Sequence, residues 1–177
     1  MITKRQKIAA ALIVAITVLA SGIYVLSNQP PETSPAEQMA LQSSDLGPGW
    51  QWDGASQFPM DQVNESSICH ANLGNDTIAL YLRIDVFNST NDSHNAFIRW
   101  RSGVAGSYDN ISLGDMAIYY PQGSSLPGVI FVRGYVTAWV QTQSFPGYTW
   151  QKNATMDISL LQLQKIDQYL AQHPGTS

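Results

Sequence analysis

The sequence predicts an α+β domain, an antiparallel sheet packed by helices, behind a single N-terminal transmembrane helix. Three observations carry that prediction. Residues 77–89 and 128–141 alternate their side chains with period two, as strands do. Residues 156–170 place Met156, Leu160, Leu163, Ile166 and Leu170 three and four positions apart, the helical period. Residues 8–26 hold nineteen consecutive uncharged, largely apolar side chains, close to the length that spans about 30 Å of hydrocarbon.

The N-terminal run comes first. Lys4, Arg5 and Lys7 precede it, and the next basic residue is Arg83. That asymmetry makes residues 1–7 a cytoplasmic stub, residues 8–26 a signal anchor, and everything after them extracytoplasmic. Cleavage after Val18-Leu19-Ala20, giving a secreted product, is the competing outcome. The apolar run continues past Ala20 through Gly22–Leu26, which suits an uncleaved anchor better. No cysteine stands near Ala20 to carry a lipid. Residues 27–44 read as a linker, stiffened by Pro30 and Pro31, and a short helix. Ser34-Pro35-Ala36-Glu37 is a capping box with proline at the first helical position, and the helix is expected to reach Gln42. "DLGPGW" then opens the extracytoplasmic domain, residues 45–173.

Within the domain, Leu80, Leu82, Ile84 and Val86 make one face of a strand. Tyr81, Arg83, Asp85 and Phe87 make a second, partly wet face. Asp92 or Ser93 is expected to cap a helix whose Ala96, Phe97, Trp100 and Val104 share a face. Residues 115–120 read as another strand. Arg133-Gly134 between two β-rich runs predicts a hairpin turn, setting Phe131 across from Val136 and Val129 across from Ala138 on an apolar face. Val132, Tyr135, Thr137 and Trp139 fall on the other. In the closing helix Asp157 lies in the first turn, Pro174-Gly175 follow the end, and the Met156–Leu170 stripe packs on the sheet.

Composition narrows the function. Charged residues are 12% of the chain, about half the roughly 25% usual for soluble domains. Past the anchor, six Lys and Arg face thirteen Asp and Glu, a formal charge of −7. This argues against nucleic acid or an anionic lipid surface as partner. Cys69 is the only cysteine, so no intramolecular disulfide forms. It reads as a half-buried thiol or, alternatively, an intermolecular disulfide. Together with His70 it supplies too few ligands for a metal, and His94 and His173 lie in unrelated segments. No cofactor is implied. Six of the nine asparagines begin an N-x-[ST] sequon: Asn64, Asn75, Asn88, Asn91, Asn110 and Asn153. They are N-glycosylation candidates; the alternative is that Asn, Ser and Thr gather in turns because their side chains bond the local backbone. Tyr119, Tyr135 and Trp139 are candidates for a ligand-binding aromatic platform, if the strand of Tyr119 pairs beside the hairpin.

The run "LGPGW", the "NDSHNAFIRW" helix, the "LGDMAIYY" strand, the "VIFVRGYVTAWV" hairpin and the closing "LLQLQKIDQYL" helix resemble small membrane-tethered extracytoplasmic domains of archaea and bacteria, PsbP-like or LpqN-like lipoproteins. The resemblance covers about residues 45–172 and implies a PsbP-like sandwich. It carries no functional residues with it, and this chain departs from the lipoprotein pattern in lacking a lipid-bearing cysteine. G-x-S-x-G, H-E-x-x-H and phosphate-loop motifs are absent. The sequence therefore points to a ligand-binding, sensory or accessory domain on the cell membrane, acting on an extracytoplasmic ligand or protein. A structural cell-envelope protein, or a hydrolase without a recognisable motif, is the alternative.

Overall fold

Period two and period 3.6 both survive in three dimensions, in the segments where each dominates the sequence. A computed structural model describes residues 33–56, 64–104, 106–121, 127–144 and 152–174. The apolar run 8–26, the Ala20 cleavage position and the linker 27–32 lie outside them. No helix among the described residues is long and apolar enough to cross a membrane.

The first helix, α1 (Pro35–Met39), starts at the predicted box. Ser34 Oγ accepts from the Glu37 amide, and the Ser34 amide donates to Glu37 Oε2 at 2.8 Å. It stops three residues before Gln42, and a second short helix, α2 (Ser43–Leu46), follows. Strands β1 (Gln51–Ser56), β2 (Glu65–Gly74) and β3 (Ile78–Phe87) then form an antiparallel meander. Helix α3 (Thr90–Gly103) carries the chain to the far edge. From there β4 (Asp109–Asn110), β5 (Met116–Tyr120), β6 (Gly128–Arg133) and β7 (Val136–Ser144) return as a second meander, until β7 pairs with β3. The result is a seven-stranded antiparallel sheet of order β1-β2-β3-β7-β6-β5-β4, closed by α4 (Lys152–Gln172). The α+β architecture is therefore as predicted, with α2, β1, β2 and β4 added to the expected elements.

Two apolar layers follow from the alternation. Cys69, Ala71, Leu73, Leu80, Leu82, Ile84, Val129, Phe131, Ala138 and Val140 face α1 and α4. Ile118, Tyr120, Ile130 and Val132 face α3 through Phe97 and Trp100. Helix α3 thus lies on one face of the sheet while α1 and α4 lie on the other.

Three local expectations need correction. Helix α3 is capped by Ser89, whose backbone is extended and whose Oγ accepts from the Asp92 amide at 3.2 Å. Asp92 and Ser93, the expected caps, are already helical. The β6–β7 turn is Gly134-Tyr135, with Arg133 opposite Val136 and Phe131 opposite Ala138. Gly134 has a φ of 57°, so glycine holds the first central position of the turn, where a II′ geometry demands it. The register moves by two residues, and each strand therefore keeps its predicted faces. Finally, α4 begins at Lys152, so Asp157 is beyond its first turn, and its inward row is Thr155, Ile158, Ser159, Gln162 and Ile166.

Leu160 points away and is 47% exposed, although it has the right spacing for the predicted stripe. Ile166 is buried as predicted and Met156, Leu163 and Leu170 pack partly buried against the core, while Thr155, Ser159 and Gln162 join the inner face because the sheet and α1 present polar atoms there. Thr155 meets Thr142 at 2.6 Å, and Gln162 bonds the backbone after α1. We expect Leu160→Ala to change unfolding free energy by less than about 0.5 kcal/mol, as exposed substitutions do. A loss above about 2 kcal/mol in chemical denaturation would restore the original stripe.

Candidate functional site

Helix α3 crosses only part of its sheet face. Under it lies the row Ile68, Asp85 and Thr137 across β2, β3 and β7, and the Thr137 hydroxyl donates to the Ser93 carbonyl. The next two rows toward the other end of these strands emerge from beneath the helix. His70, Arg83 and Trp139 form the first; Asn72, Tyr81 and Gln141 form the second. These six, with Leu82, line an open hollow of about 240 Å³. Asn72 and Tyr81 are exposed and the other four half-buried. Gln143, one row further, meets the Tyr81 hydroxyl at 3.5 Å.

The aromatic side chains are held in fixed orientations. The Trp139 indole N–H donates to the Tyr120 hydroxyl, and the Tyr120 ring packs edge-on at 6.3 Å. Gly128 makes this possible, since a β-carbon there would collide with the Tyr120 hydroxyl and the Val140 carbonyl. Trp100, on the last turns of α3, lies 5.7 Å from Trp139 and marks where the cover ends. The Arg83 guanidinium sits 4.9 Å from the Trp100 ring centroid, a cation–π distance.

Arg83 is also the lid on a buried acidic pair. Its Nε lies 2.8 Å from Asp85 Oδ1 and its Nη2 lies 2.8 Å from Oδ2, while Glu65 Oε1 stands 3.8 Å from Nη2. Both carboxyl side chains are fully buried. Asp85 was expected on a wet face; α3 encloses it instead. Burial pushes the Asp85 carboxyl up to about 8, the Glu65 charge adds to the push, and the Arg83 guanidinium opposes it. An unfolded aspartate titrates near 3.9, so the folded chain holds a proton that the unfolded chain has lost. That proton stabilises the fold at acid pH and its contribution disappears as pH rises through about 8. The melting midpoint should therefore fall from about pH 4 to about pH 8 and level off above it, and Asp85→Asn should flatten the fall. An equal slope in both proteins would remove Asp85 as its source.

The predicted platform does not assemble. Tyr119 opposes Val129 in β5–β6 pairing, one residue out of phase with the Ile130–Trp139 pair, so it faces α4. There Lys152 Nζ stands 4.4 Å from its ring centroid. Tyr135 lies in the β6–β7 turn and packs with the α4-side core. It borders a second hollow of about 330 Å³, shared with Pro35, Ser66, Val86, Phe87, Asn88 and Tyr169. That space is walled mainly by core apolar groups, and the Ser66 hydroxyl donates to the Val86 carbonyl. Only Trp139 of the three reaches the open half-face. Tyr81, Asn72 and Gln141 complete it without having been singled out, although the period-two pattern already places Tyr81 and Arg83 on one face.

Cys69 is buried in β2. Burial, with a smaller push from the Glu37 charge, raises its thiol to about 11, so it stays protonated and unreactive at neutral pH. His70 borders the open hollow, His94 lies on α3, and His173 stacks on Tyr169 at 4.1 Å. No group of three metal-binding side chains gathers among the described residues. Comparison with protein-family models, with curated proteins and with solved structures finds no match to this chain.

Proposed function

We propose that the chain is a membrane-anchored extracytoplasmic domain that binds a ligand on the half of the sheet face left open by α3. The observation that carries this reading is the pair of rows His70-Arg83-Trp139 and Asn72-Tyr81-Gln141, in which aromatic and hydrogen-bonding side chains converge on one hollow. Convergent polar groups beside aromatic surface are what a recognition site requires. The location rests on the apolar run 8–26 and its flanking charges. In this reading the domain is sensory or accessory to an envelope complex.

The sequons fit such a location. Asn64, Asn88, Asn91, Asn110 and Asn153 are exposed and Asn75 is half-buried, and none lines the open hollow. Local geometry separates them. The Ser93 hydroxyl of the Asn91 sequon donates to the Thr90 and Gly134 carbonyls. Thr155 of the Asn153 sequon is buried against Thr142, and the Asn64 amide nitrogen donates to Asp92. An enzyme acting on the folded domain therefore reaches Asn75, Asn88 and Asn110. Intact mass and peptide mapping of protein from native membranes should find glycan at these three; a bare polypeptide mass ends the glycoprotein reading.

Binding is tested by nuclear magnetic resonance on the full chain in micelles. The indole N–H signals of Trp139 and Trp100 should shift when a soluble extract of the native cell envelope is added, while those of Trp50 and Trp52 stay in place. Unchanged Trp139 and Trp100 signals would contradict the site.

A further inference from the structure

The chemistry of the open half-face narrows its ligand further, an inference that rests on that face being the binding site. We propose that it binds a neutral oligosaccharide, with sugar rings stacked on Trp139 and Tyr81 and hydroxyls held by Asn72, Gln141 and Gln143.

Charge supports this first. Among the described residues Arg83 is the only charged one lining the hollow; its guanidinium is held by the Asp85 carboxyl group in a two-pronged contact, and Glu65, buried 3.8 Å away, supplies a countercharge. An anionic ligand would compete with buried partners that cannot leave. A neutral ligand disturbs nothing.

The donors and acceptors point the same way. Asn72 carries an amide donor and a carbonyl acceptor side by side, the pattern that matches adjacent hydroxyls acting as both; Gln141, bonded to the Tyr120 hydroxyl, and Gln143, whose Oε1 accepts from the Tyr81 hydroxyl, add the remaining halves of their amides. Trp139 has its one N–H committed to Tyr120, so it offers ring surface rather than a hydrogen bond. Ring surface is what the C–H face of a pyranose covers, and the edge contact with Tyr120 and the tilted contact with Trp100 hold the Trp139 ring in place. Tyr81, 36% exposed on the neighbouring strand, adds a second ring one row away.

Dimensions agree. Three strands at about 4.8 Å spacing and two rows about 7 Å apart give a patch of about 10 by 7 Å, the footprint of one or two sugar rings. The hollow is open rather than enclosed, so a longer chain can continue past it in either direction.

The test uses the full chain in lauryldimethylamine oxide micelles, since a sugar-headed detergent would compete. Tryptophan emission is followed against cellohexaose, maltohexaose, mannohexaose and chitohexaose, against hexagalacturonate, and against the aromatic probe indole-3-acetate. At least one neutral hexasaccharide should give saturable quenching that is unchanged between about 50 and about 500 mM salt, because screening has no charge pair to weaken. Tyr81→Ala, at an exposed position that the fold tolerates, should weaken it at least tenfold, and Trp139→Phe should reduce the quenching. Leu161→Ala on the outer side of α4 should change nothing. Binding confined to hexagalacturonate and lost with salt, or confined to indole-3-acetate, would overturn the saccharide assignment while leaving the face as a ligand site. Silence with every probe also overturns it, and the envelope-extract experiment then decides whether the site itself stands.

Discussion

Arg83→Met is expected to lower unfolding free energy at about pH 9, where Asp85 is ionised, by about 3–5 kcal/mol, the loss that follows when one partner of a buried ion pair is removed. The substitution retains an apolar stem and deletes the guanidinium. Asp85 and Glu65 then face each other without the Arg83 cation, at side-chain exposures of 0%. Because the Asp85 carboxyl takes up its proton at about 8, the loss should be larger at about pH 9 than at about pH 6, where the proton partly replaces the cation. Pairing the change with Asp85→Leu should recover part of the lost stability, since the uncompensated charge goes with it. Urea denaturation of the four proteins measures this. A single-variant loss below about 1 kcal/mol would mean that water reaches the pair.

Gln162→Leu carries the second large effect. The Gln162 side chain is fully buried, accepting from the Leu41 amide at 3.1 Å and donating to the Met39 carbonyl at 2.7 Å. It therefore satisfies both backbone groups exposed where α1 ends. Leucine has similar bulk but no polar atom, so both groups stay buried without a partner, at about 1–3 kcal/mol each. A loss of about 2–6 kcal/mol follows, and hydrogen exchange at the Leu41 amide should speed up more than exchange in β3. If Leu41 keeps its protection, another group is holding the end of α1.

These two residues also show where sequence pattern stops being informative. Strand β3 was legible because Leu80, Leu82, Ile84 and Val86 are large and apolar. Strand β2 was not, since its inward row of Ser67, Cys69, Ala71 and Leu73 is mostly small and only weakly apolar. Helix α4 was legible as a helix and in four of its five stripe residues, Met156, Leu163, Ile166 and Leu170; a hydrophobic count could not anticipate the buried Gln162 answering backbone atoms more than a hundred residues away. The capping box of α1 was legible since both of its partners lie within four residues.

The site was less readable for the same reason. His70, Arg83 and Trp139 become neighbours only through the β2–β3 and β3–β7 pairings, and the second of these joins two meanders. Tyr119 and Trp139 were expected together, yet the β5–β6 register puts them on opposite faces. Periodicity assigns a residue to a face of its own strand, and long-range register decides which faces coincide.

An open half-face that looks out from the cell is the centre of this account, and cysteine labelling tests both parts at once. Asn72→Cys is placed in a Cys69→Ser chain and expressed in the native host. Intact cells are then treated with a membrane-impermeant maleimide. The account predicts labelling on intact cells at a rate close to that of an exposed surface cysteine. Labelling that appears only after lysis would contradict the outward orientation, and labelling that appears only after denaturation would contradict the open face.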